Sequence, residues 1–180
     1  MKPGDHPDFF RLPPPAGRSR ESSIVLDREG RFWHDGALVE HARMARAFAG
    51  WIARHPDDGR YILDNGYDWT YFTVEDAPFF VVAVLGVDGD TPELELSNGS
   101  RTPLDPRLLS VGTGGALYVP VQGGFRARFT RAAQLALAPL LEAAEDGAVV
   151  VRAGGIRCQV RESSDSGAEN ESATVRNTKP

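Results

Sequence analysis

The chain has one cysteine in 180 residues, Cys158, so no disulfide can close within it and a reducing compartment is expected. It also lacks a basic excess: 20 Lys and Arg stand against 25 Asp and Glu, a net charge of −5. A protein that wraps duplex nucleic acid needs the opposite sign to displace counterions, so that class is disfavoured. No run approaches the roughly 18 apolar residues of a membrane-spanning helix, and none supplies the apolar segment of a signal peptide. No membrane partner is expected, and the expected location is cytoplasmic. Familiar motifs are missing too. His6, His34, His41 and His55 form no H-E-x-x-H and join no C-x-x-C, so neither a metal nor a cofactor is expected. Gly112-Thr113-Gly114-Gly115 lacks the Lys-Ser/Thr of a phosphate loop, and Asp88-Gly89-Asp90 lacks the further ligands of a calcium loop; both read as turns. Cys158, between Arg157 and Gln159, reads as an inward-facing strand thiol, inert rather than nucleophilic.

What remains is a pattern of short apolar segments and turns. Residues 1–20 carry Pro13, Pro14 and Pro15 and read as a flexible arm; residues 162–180 are polar and read as a disordered tail. Between them, 24–26 and 32–34 flank a turn ending at Gly30. Apolar residues at helical spacing predict a helix over 38–54. Asn65-Gly66 between 60–63 and 67–74 predicts a tight hairpin of type I′. The almost continuous apolar run 79–87 predicts a buried strand. Later strands near 117–121 and 125–129 lead into a second helix over 130–145, divided by Pro139, and a hairpin closes at Gly154-Gly155. Together these predict an α+β fold: an antiparallel sheet built from hairpins, with two main helices. The fold divides into two abutting halves, 21–78 (hairpin, helix, hairpin) and 79–161 (strands, helix, hairpin).

Four runs carry a resemblance. DREGRFWHDGALVEH at 27–41, DDGRYIL at 57–63, VEDAPFF at 74–80 and ALYVPVQGGFRARFTRAAQ at 116–134 follow in an order similar to the bacterial family called domain of unknown function 1285. The likeness spans about residues 20–160, and DAPF is its most specific segment. It implies a bacterial α+β protein and brings no catalytic residues.

Three constellations are candidate ligand sites. Tyr67, Trp69 and Tyr71 alternate along a strand and share one face, either a stacking surface or core. Arg126, Arg128 and Arg131 cluster where a strand enters the second helix, a plausible anion site. His34 and Asp76 would form an acid–base pair if their hairpins adjoin. No familiar catalytic assembly appears, so no catalytic residue is assigned. The favoured reading is a non-catalytic binding module for a protein or small ligand, using a groove between the halves. The alternatives are an unrecognised enzyme acting on an anionic substrate and, third, a single-strand nucleic-acid binder. The acidic residues beside the aromatic stripe count against the last.

Overall fold

A computed structural model describes residues 2–144 and 147–162. The first sheet has six strands: β1 (Glu21–Leu26), β2 (Phe32–His34), β3 (Ala37–Leu38), β4 (Ile52–Arg54), β5 (Tyr61–Asp64) and β6 (Trp69–Val74). Their order is β3-β2-β1-β6-β5-β4, and helix α1 (Ala42–Gly50) connects β3 to β4. The second sheet takes β7 (Phe79–Leu85), β8 (Glu93–Leu96), β9 (Arg101–Pro103), β10 (Ser110–Val111), β11 (Leu117–Val121), β12 (Phe125–Phe129) and, after a further sheet, β16 (Arg161–Glu162). These run β16-β10-β11-β12-β7-β8-β9. Helix α2 (Arg131–Leu137) leads into the small third sheet of β13 (Leu141–Ala143), β14 (Val149–Ala153) and β15 (Ile156–Gln159).

The fold is α+β, but its sheets are mixed rather than purely antiparallel. β1 pairs with β6, β7 with β12 and β10 with β16 in parallel. Turn signals reveal only pairings between neighbours in the chain, and these three arise from crossovers that no local signal marks. Both helices are also shorter than their periodicity predicts. His41 Nδ1 accepts the Met44 amide at 3.3 Å and starts α1 at Ala42. At the other end Ile52 keeps the apolar spacing but pairs across β4–β5 with Leu63, so tertiary pairing overrides helical propensity. Pro139 divides the second segment as expected: α2 stops at Leu137, a single tight turn follows, and Leu141 enters β13.

The turn at Asn65-Gly66 also departs from its prediction. Gly66 has φ +80°, but Asn65 does not share the positive φ that type I′ requires. Asp64 pairs with Trp69, so four residues form the loop. Asn65 Oδ1 holds it by accepting the amides of Tyr67 (2.8 Å) and Asp68 (2.9 Å).

The N-terminal arm docks on the first sheet instead of hanging free. Phe9 is only 3% exposed and packs with Ile62 and Trp69, with Phe10 beside it. The Gly4 amide donates to the Gly66 carbonyl at 2.9 Å. Arg11 pairs with Asp57 at 3.0 Å, and the Arg20 guanidinium lies 4.3 Å from the Trp69 ring centroid. The prolines set extended backbone, but two phenylalanines meeting an aromatic sheet face offset the entropy of ordering it. Of the polar tail, Glu162 belongs to β16; residues 163–180 lie outside the described residues. One buried cluster joins the inner faces of both large sheets, from Leu26, Phe32 and Phe72 to Phe80, Val81 and Phe129.

Asp27 organises the first turn. Its buried carboxylate accepts the amides of Glu29 (3.0 Å) and Arg31 (2.8 Å), the Arg31 side chain (2.8 Å) and Trp33 Nε1 (2.8 Å). Burial alone would raise its pKa; the bonds from Trp33 and Arg31 outweigh it and hold the group below its ordinary value. A lowered folded-state pKa contributes stability that is full above the unfolded value of about 3.9 and is lost as pH falls through the folded value. Urea unfolding between pH 7 and pH 3 should therefore show a steeper acid loss in the parent than in Asp27→Asn. Equal slopes would mean that the turn does not draw on the charged carboxylate.

Candidate functional site

The structure rearranges the three predicted constellations. The His34 side chain is 57% exposed, with Nε2 3.7 Å from Asp35 Oδ2, and it makes no contact with Asp76. The expected pair does not form because β2 carries His34 away from the end of β6. Asp76 meets the arginine cluster instead. Arg126 and Arg128 alternate on β12 and face the same way, and Tyr118 stands opposite Arg128 in the β11–β12 register. Arg126 Nη2 donates to Asp76 Oδ1 at 3.0 Å, while Arg128 Nη1 (2.6 Å) and the Tyr118 hydroxyl (2.8 Å) donate to Oδ2. Arg126 also lies 4.9 Å from the Tyr118 ring centroid. Burial, then the bond to Asp76, raises the Tyr118 pKa, which keeps its hydroxyl a donor at neutral pH.

The Asp76 side chain is 11% exposed and directly precedes Ala77, which is fully buried. The carboxylate is thus a clasp that fastens the 76–78 segment to the β11–β12 hairpin. It also occupies donors that an outside anion would need, and Arg131, exposed at the start of α2, makes no ion pair among the described residues and lies outside the clasp. The predicted three-arginine anion site is therefore not assembled.

The aromatic stripe is covered. Trp69 and Tyr71 share a face as their spacing predicts, but Phe9 and Phe10 lie over it and the His55 ring sits 4.9 and 5.5 Å from their centroids. The Tyr71 hydroxyl donates to Asp58 at 2.7 Å; burial and this bond push its pKa to about 12. Tyr67 is 63% exposed and belongs to the loop rather than the strand. The stripe is core and offers no stacking platform.

A groove that no motif announced lies along α1. An open groove of about 430 Å³ lies between the helix, the β1–β2 turn and the β8–β9 turn. Ala42, Ala45 and Ala49 face it from the helix, with Phe32 beneath and Gly30 and Ser97 on the far side. Arg43 and Arg46 border it. Gly30 has φ +84°, and a Cβ there would stand 2.9 Å from the Phe80 ring, so the turn seats directly on the second sheet. A faint signal was available in the sequence: alanines at three turns of one helical face leave room where larger residues would close it.

No family model matches the chain, and no curated protein matches it. Among solved structures, a DUF1285 family protein from Silicibacter pomeroyi DSS-3 superposes with a TM-score of 0.60. The alignment covers 79% of this chain and 81% of that one, at 21% identity. The fold resembles that of the DUF1285 family. A second such protein, from Shewanella baltica OS155, gives a TM-score of 0.52 over 67% of this chain and 94% of its own, again at 21% identity. Both carry the family name alone, so the likeness brings the fold and no activity. Within the DUF1285-like segment DAPF, the aspartate is the clasp residue Asp76, which gives that run a structural role here.

Proposed function

We propose that this chain is a binding module for a small ligand, taken up in the groove between α1 and the two turns. The groove itself carries the reading: an open depression of about 430 Å³ whose base is apolar, with cationic groups at the edge. Other polar clusters, such as that of Asp76, are spent on one another. In this reading the chain works as two halves meeting near Pro78, the first supplying α1 and Gly30 and the second Ser97. The single cysteine and fold neighbours from two bacteria support a bacterial, cytoplasmic setting. Ala45→Trp fills the groove from a half-buried position. The parent should enhance the emission of Nile red, a neutral apolar dye, and the variant should not, at an unchanged melting temperature. Equal enhancement by both proteins would overturn the reading.

A further inference from the structure

The two arginines at the groove set the chemistry of what it would hold. Arg43 and Arg46 are three residues apart on α1, so their side chains border the same side of the cavity. Arg43 has no ion-pair partner among the described residues. Arg46 reaches Glu95 only at 4.0 Å, and Glu95 is shared with Arg101 at 3.5 Å. The Arg46 guanidinium also rests on the β8–β9 turn: a Cβ at Gly99 would lie 2.8 Å from Nη2, so the bare glycine makes room for it. Arg46 thus lies along the turn at Gly99 while most of its side chain stays open to solvent.

Opposite these charges the lining is apolar: Ala42 and Ala45 reach the surface, and Phe32 and Ala49 are buried beneath them. We infer that the groove binds a small amphipathic monoanion: a carboxylate head on Arg43 and Arg46, and an apolar tail or ring laid along Ala42 and Ala45 above the Phe32 floor. This rests on the binding-module reading and adds the ligand's class. A planar guanidinium matches a carboxylate with two parallel hydrogen bonds. Glu95 offsets part of the positive charge, which favours a monoanion over a phosphate dianion.

Decanoate, decanol and decyl phosphate share one apolar body and differ in the head, so their displacement of Nile red separates the contributions. The parent should bind decanoate at least about tenfold more tightly than decanol. The double variant Arg43→Gln/Arg46→Gln should bring decanoate down to the level of decanol and still bind the dye. Arg43→Lys/Arg46→Lys should recover part of the preference, because charge returns without the planar fork. Decanoate no tighter than decanol, or a preference untouched by the glutamine pair, overturns the inference while dye binding upholds the module. Tighter binding of decyl phosphate overturns the carboxylate assignment. Dye binding that survives Ala45→Trp overturns the groove itself and both readings with it.

Discussion

Replacing Asp76 with alanine should cost about 2–3 kcal/mol of folding stability. Removing one member of a buried ion pair strands its partners, a loss of roughly 3–5 kcal/mol when burial is complete. Arg126 and Arg128 keep 39% and 28% of their side-chain surface and so recover some hydration, which lowers the figure. Read as a turn residue alone, Asp76 would tolerate asparagine for well under about 1 kcal/mol. The clasp changes that expectation, since the amide surrenders the charge that two guanidinium groups and Tyr118 address; Asp76→Asn should lose nearer 1–2 kcal/mol. Urea unfolding at neutral pH measures both variants. A parent-like curve for Asp76→Ala would mean that the clasp contributes nothing net. Pairing Asp76→Ala with Arg128→Ala in a double-mutant cycle then isolates the coupling between the two.

Phe9→Ala should weaken the docked arm by about 3 kcal/mol, the usual cost of deleting a buried phenylalanine ring. The global loss is bounded by whatever free energy the arm's docking supplies, because the sheet beneath survives its departure. The clearer readouts are local. Trp69, now covered by Phe9 and Phe10, should shift its emission to the red, and protease should cut residues 2–20 faster. Unchanged emission and cleavage would show that Phe9 does not hold the arm.

Much of this architecture was legible from local chemistry. Gly123-Gly124 between two alternating segments marked β11 and β12 to the residue, and Pro139 marked the end of α2. What escaped was set by partners distant in the chain. The parallel pairing of β1 with β6 leaves no turn signal, and Ile52 kept helical spacing while belonging to a strand. The site residues divided in the same way. Asp76 and the arginines of β12 were visible as charged side chains, but their meeting across 50 and 52 residues was not. His34 looked like the nearer partner and lies against Asp35 instead. The groove went unseen because small residues announce themselves by the space they leave, which appears only once Gly30 and Ser97 stand across from them.

The strand order also imposes a schedule on synthesis. Every strand of the first sheet has been made by Val74, whereas the second sheet is not complete until Arg161–Glu162 pairs beside β10. A nascent chain can therefore close the first sheet, including its parallel pair, while most of its partner is still unmade. Phe48 of α1 already packs on Phe32 by then, but the part of the shared cluster that Phe79 and Phe80 supply is missing until they emerge. The stretch from Val74 to Leu96 is thus a window in which part of that face stays open, and the groove beside α1 is complete only once Ser97 has followed it.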